Sequence, residues 1–185
     1  MFLIQIKTVV TISVMVLLGG GFTLAVKARL SDPTSGYELA ARERGGVFLG
    51  VEGVVMQDRG KTCGPASLKM ILDVYGKTVT LRDLEKGATA PEDGWSMQSL
   101  KGLAEQYGLV AEGWRLDLES LRRSQFPVIL FVEKRHFMVV DGVDTSGCFL
   151  VRDPAIGRMK IHRRALGRLW TGETLVFREN RSTNE

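Results

Sequence analysis

The chain has 185 residues, 44% of them hydrophobic and 25% charged, with a formal net charge of +4 and no repeated or low-complexity segment, which fits one compact domain. Two cysteines exclude a disulfide framework, and two histidines without any C-x-x-C or H-x-x-x-H spacing argue against structural zinc, so no metal is expected. The pI near 9.2 comes from basic residues that are scattered and not interleaved with aromatics, so no nucleic acid is expected among the partners.

Residues 8–26 carry no charge and lie between Lys7 and the pair Lys27 and Arg29. As a helix this run would reach about 28 Å at ~1.5 Å per residue, enough to cross a bilayer. A retained membrane anchor is the favoured reading. The alternative is a cleaved secretory signal, for which Val26-Lys27-Ala28 offers small residues and Gly19-Gly20-Gly21 a weakened helix. Positive flanks on both sides leave the positive-inside rule silent. The short head of residues 1–7 resembles an export signal, so the following domain is expected outside the cytoplasm. The organisation is therefore an anchor or signal peptide over residues 1–29, a linker over 30–46 and a folded domain over 47–185. The linker mixes Ser, Asp, Pro, Thr, Gly and alternating charges without an apolar period.

Val47-Phe48-Leu49 and Val51-Glu52-Gly53-Val54-Val55 read as a short strand leading into Gln57. The next segment, Gly60-Lys61-Thr62-Cys63-Gly64-Pro65-Ala66, opens a helix. Leu68, Ile71, Leu72 and Tyr75 fall on one face, Gly76 stops it, and Pro65 sits in a first turn where its missing N–H has no intrahelical partner. Gly60 and Gly64 let backbone pass close to another group. A thiol at a helix start is biased toward thiolate by the unpaired N–H donors there.

Thr80 and Asp83 suggest a capping box for a short helix, and Pro91-Glu92-Asp93-Gly94 a turn. Ser96 caps a helix whose apolar positions are Met97, Leu100, Leu103, Ala104 and Tyr107, closed by Gly108. After a brief turn of helix over residues 118–122 the pattern changes to strands over 126–132, 136–143, 148–153 and 174–177, rich in β-branched and aromatic residues. Helices followed by an antiparallel sheet define an α+β domain.

Asp144-Thr145-Ser146-Gly147 has turn composition, and a hairpin folded there sets His136 opposite Ala155 with Asp153 diagonally across. Asp141 lies five residues from His136 at ~3.3 Å each and on the other face by parity. Cys63, His136 and Asp153 thus form an activated-nucleophile constellation: Cys63 attacks, His136 moves the proton and Asp153 orients the ring. Gln57, just upstream, is a candidate donor to the oxyanion beside the Cys63 backbone N–H. Cys148 reads as an inert thiol. Lys160-Ile161-His162-Arg163-Arg164 reads as a solvated basic face, with contact to acidic leader peptides or anionic lipid as its functional alternative.

Gln57, Cys63-Gly64-Pro65-Ala66, His136-Phe137-Met138-Val139-Val140-Asp141-Gly142-Val143 and Asp153-Pro154 together resemble the signature of the bacteriocin-processing, double-glycine leader peptidases. Asp93-Gly94-Trp95-Ser96, Phe126-Pro127-Val128 and Trp170-Thr171-Gly172 extend the likeness, which covers residues 54–177 in order. The resemblance implies a papain-like cysteine peptidase domain without a cofactor, cutting leader peptides of bacteriocin-like or other secreted small proteins after a Gly-Gly pair. An extended peptide between the Cys63 helix and the His136 strand would meet Gly94 and Trp95 as candidates for a narrow groove. Many members of that family are fused to a membrane transporter with an ATPase. No G-x-x-x-x-G-K-[ST] loop occurs here, so the expectation is a standalone peptidase held at a bacterial inner membrane by a single pass, touching lipid through residues 8–26 and working beside a separate exporter. Secretion after signal cleavage is the alternative location. Two other functions compete: a papain-like hydrolase of cell-wall peptides, and a non-catalytic leader-binding module of an exporter, which the intact Cys63, His136 and Asp153 argue against.

Overall fold

The computed structural model describes residues 34–58, 61–87 and 94–180. The apolar run at 8–26, with its readings as anchor or signal, lies outside these residues, as do Gly60 and Pro91-Glu92-Asp93. Among the described residues no helix is long and apolar enough to cross a membrane.

Where the sequence reads as a linker, the chain forms α1 (Ser35–Glu43) and enters β1 (Gly46–Gly50), and the compact unit begins at Thr34 instead of residue 47. Only Ala41 of α1 is fully buried, with Tyr37 and Ala40 half-buried beside it. That is too little to make an apolar period, so the helix depends on tertiary packing more than on propensity. The strand also stops at Gly50 and does not continue to residue 55.

The three helices that follow obey their local signals. They are α2 (Cys63–Val74), α3 (Leu81–Gly87) and α4 (Met97–Gln106). At α3, Asp83 N–H donates to Thr80 Oγ1 at 3.1 Å and Thr80 N–H to Asp83 Oδ2 at 3.4 Å. At α4, Ser96 accepts from Ser99 N–H at 3.0 Å, and Ser99 Oγ accepts from Ser96 N–H at 2.9 Å. These reciprocal bonds satisfy donors that a helix start would otherwise leave unpaired.

The remainder is β2 (Leu109–Arg115), α5 (Leu118–Arg122), β3 (Val128–Val132), β4 (His136–Val143), β5 (Phe149–Asp153), β6 (Gly157–Ile161), α6 (Arg163–Leu169) and β7 (Trp170–Glu179). The seven strands of the described residues form one sheet in the order β1-β6-β5-β4-β3-β7-β2, antiparallel at every pairing. The α+β class stands, although β1 and β2 place two strands among the helices. Neither β2, β6 nor α6 is legible as an element: β2 exposes its last four residues, β6 is five residues with Arg158 and Lys160 turned outward, and α6 is a short helix with three arginines.

Alternation along the central strands divides the core. Ile129, Phe137, Val139, Leu175 and Phe177 pack with Leu68, Ile71, Leu72, Leu100 and Leu103 of α2 and α4. Val128, Leu130, Met138, Val140 and Val151 face the other way, toward Ala41, Leu121 and Leu166. The sheet is thus buried on both faces, and the ends of its central strands are where reactive side chains can reach a cleft. At one of those ends Gly157, at φ 115°, faces the Gly50 carbonyl, which a Cβ would meet at 2.7 Å. Without a side chain there, β1 docks close against the turn that follows Asp153.

Candidate active site

Three element boundaries meet at this end of the sheet. Cys63 is the first residue of α2, His136 the first of β4 and Asp153 the last of β5. The α2 helix packs across β4, which sets the thiol against the imidazole. Register does the rest: Val139 pairs with Arg152 and Val140 with Val151, so continuing the ladder sets His136 opposite Ala155. A shift between Val140 and Gly142 takes up one residue at the far end without disturbing this one.

His136 Nε2 donates to Asp153 Oδ1 at 2.8 Å, which leaves Nδ1 for Cys63. Ala155 N–H donates to the same Oδ1 at 2.8 Å, and Arg44 Nη1 donates to Oδ2. Cys63 is 5% exposed, His136 8% and Asp153 0%. Burial would push the Cys63 thiol up, but the hydrogen bond and charge of His136, with the backbone N–H groups of Phe137 and Gly64, hold it below the usual thiol range. Burial likewise opposes the charged imidazole, and contact with Asp153 and Cys63 overcomes this, so His136 is raised to about 9. Asp153 stays low despite burial because His136 and then Arg44 and the Ala155 N–H favour its ionised form. The site therefore favours a thiolate beside an imidazolium, with a buried carboxylate behind it.

Gln57 is tied to the same turn, its N–H donating to the Pro154 carbonyl at 2.9 Å. Its side-chain oxygen is buried without a hydrogen-bond partner among the described residues. Trp95 is half-buried on the α2–α4 core and lies against Gly64, where a Cβ would meet Trp95 Cβ at 2.9 Å. Gly94 precedes it at φ 96°. Asp141 is turned away, its carboxylate bound by Arg152 through Nε at 2.7 Å and Nη2 at 2.6 Å. Cys148 is half-buried at the β4–β5 turn, its N–H bound to Asp144. His162 caps α6 by accepting from Arg164 N–H at 3.2 Å, so this part of the basic run has a structural task. An open hollow beside it, lined by Leu118, Glu119, Arg122 and Arg163 among others, includes none of Gln57, Cys63, His136 and Asp153. Arg44 is the contact that sequence reasoning missed. The α1 it closes carries no apolar period, and its partner lies 109 residues away.

A helix-borne thiol beside a strand-borne imidazole and a buried carboxylate is the arrangement of a papain-like cysteine peptidase. The chain belongs to the Peptidase C39 family, which it matches over residues 52–182. An uncharacterised protein of Methanothermobacter marburgensis is 35% identical over 129 residues, covering 70% of this chain and 90% of that one. The probable microcin-H47 secretion/processing ATP-binding protein of Escherichia coli is 32% identical over 122 residues, or 66% of this chain but only 17% of the longer protein. The crystal structure of a double glycine motif protease from an AMS/PCAT transporter, in complex with its leader peptide, superposes with a TM-score of 0.65 at 34% identity, covering 68% of this chain and 90% of that one.

The charge state predicts a pH profile. In the Cys148→Ser chain, alkylation of Cys63 by iodoacetamide should begin below the usual thiol range, and peptide hydrolysis should fall as pH rises through about 9, where His136 loses the proton it must deliver. Alkylation that follows an ordinary thiol titration would remove the thiolate–imidazolium assignment.

Proposed function

We propose that this cysteine peptidase cleaves leader peptides of secreted small proteins directly after a Gly-Gly pair. Its likeness to the double glycine motif protease bound to a leader peptide supports the substrate. The Cys63–His136–Asp153 line carries the chemistry, with the 2.8 Å bond between His136 and Asp153 as the central observation.

In this mechanism the Cys63 thiolate attacks the carbonyl of the second glycine. The oxyanion is stabilised by the Cys63 backbone N–H and the Gln57 side-chain amide. His136 then gives its proton to the leaving amine, forming a thioester between Cys63 and the leader. Neutral His136 next takes a proton from water, whose oxygen attacks the thioester, which frees the leader with a new carboxyl end and restores the Cys63 thiolate beside the imidazolium. Asp153 orients the ring throughout. Trp95, packed against Gly64, forms a groove wall with the Gly94 backbone, so that glycine passes where a larger residue clashes. The remote part of the leader supplies affinity by laying an apolar helical face on the domain.

In the same reading the uncharged run at 8–26 holds the enzyme at a bacterial inner membrane, with the domain outside the cytoplasm and a separate exporter as partner. Tethering would raise the concentration at which enzyme and leader meet. Reporter enzymes fused after Glu185 test this: activity of the periplasmic reporter is expected, and activity of the cytoplasmic one alone would reverse the orientation.

Cys63→Ala and His136→Ala should each abolish cleavage, Asp153→Asn should impair it less, and Cys148→Ser should leave it nearly intact. Gln57→Ala should slow turnover roughly 100-fold, the usual loss for one oxyanion donor. Replacing either glycine by Val or Leu should lower kcat/KM by at least ~100-fold, about 2.7 kcal/mol, in assays of the full chain. Equal rates on Gly-Gly and Leu-Leu versions of one leader would replace the double-glycine assignment with a broader cysteine hydrolase.

A further inference from the structure

The family match begins at residue 52, yet the guanidinium that binds Asp153 beside the His136 ring comes from residue 44. Arg44 follows α1 directly, and β1 begins two residues later beside β6. Two features hold this segment in place: Ala41 is fully buried in the core, and the Gly50 carbonyl seats against Gly157. The guanidinium is therefore delivered by a rigid element. Its Nη1 meets Asp153 Oδ2, and its Nη2 lies 3.5 Å from Glu133 Oε2. Glu133 belongs to the tight β3–β4 turn that leads into His136, where Glu133 and Lys134 have φ of 52° and 55°. Arg44 thus joins the chain entering His136 to the strand end carrying Asp153.

Resting on the reading of Cys63, His136 and Asp153 as the reacting centre, we propose that Arg44 is a positioning residue of the peptidase, holding Asp153 ionised and aligned on His136 from a segment that precedes the family-matched residues. The need follows from the reaction cycle. In the resting enzyme the imidazolium compensates Asp153. Once His136 has given its proton to the leaving amine, a fully buried carboxylate faces a neutral ring, and a buried charge without a counter-charge takes up a proton instead. A protonated Asp153 no longer favours the imidazolium that the water step must regenerate. Arg44, always charged, keeps the carboxylate anionic through that stage.

The charged and titratable groups around Asp153 are His136 on β4, Cys63 on α2 beyond it, Arg44 after α1, and Glu133 with Arg135 on the far side of Arg44. Without Arg44, Asp153 protonates at higher pH, the imidazolium loses its support, and the thiolate forms only at higher pH.

The test is iodoacetamide alkylation of Cys63 against pH in the full chain carrying Cys148→Ser, which needs no leader substrate. Arg44→Met should move the acid limb up by about one pH unit or more, a tenfold loss of thiolate, about 1.4 kcal/mol. Arg44→Lys, which keeps the charge but not the fork between Asp153 and Glu133, should move it about half as far. In an Asp153→Asn background both changes should leave the profile within about 0.3 unit, because the carboxylate they act through is gone. Should Arg44→Met fail to fold, the Arg44→Lys pair carries the same comparison. An unshifted limb overturns the proposal, as does a shift of equal size in Asp153→Asn, which would mean that Arg44 only supports the fold. An ordinary thiol profile in the parent chain would instead sink the assignment of the reacting centre beneath it.

Discussion

The structure turns on the contact between the His136 imidazole and a carboxylate shielded wholly from water. Asp153 is fully buried, a position that costs several kcal/mol for an ionised group unless its lone pairs are filled. They are filled by His136 Nε2, the Ala155 N–H and Arg44. The same carboxylate lets His136 carry charge at a site where burial alone would strip it, and the charged ring in turn lets Cys63 ionise. Each member of the line is stable only in the charge state that its neighbour imposes. Truncating any one of them therefore changes the others more than it changes the packing.

The fold serves this line by bringing ends together. A helix start, a strand start and a strand end are all places where the backbone leaves regular hydrogen bonding and a side chain can face a cleft. The antiparallel hairpin of β4 and β5 brings two of them within one hydrogen bond, and α2 lying across β4 supplies the third. Extra chain ahead of the family-matched region adds β1 at the sheet edge and brings Arg44 onto Asp153.

Much of this was legible in the residues. The apolar spacing after Cys63 and the stop at Gly76 defined α2, the Ser96 cap defined α4, and turn composition at 144–147 set the register that puts His136 opposite Ala155. These signals are local or depend on a hairpin, where sequence distance translates directly into geometry. What escaped depends on contacts made far along the chain. The segment before residue 47 reads as a linker because α1 buries one residue fully, and Arg44 meets Asp153 only after the whole sheet has formed. Strand β6 and helix α6 were hidden by charge: Arg158 and Lys160 face outward while Met159 and Ile161 are buried, and His162 is spent on a cap. Helix α6 does bury Ala165 and Leu166, but with Leu169 they are its only apolar residues, set among three arginines, and make no visible stripe.

The proposed mechanism needs His136 to be an imidazolium at rest, held so by a thiolate and a carboxylate on its two sides. Only two histidines occur in the chain, so nitrogen NMR of histidine-labelled protein can follow each ring through a pH titration. Both His136 nitrogens are expected to carry protons at pH 8, with Nδ1 losing its proton near pH 9 while Nε2 keeps its own on Asp153, and Cys63→Ala is expected to lower that titration because one of the two anions is lost. A His136 ring already neutral at pH 7 in the native chain, or one whose titration ignores the loss of Cys63, would contradict it.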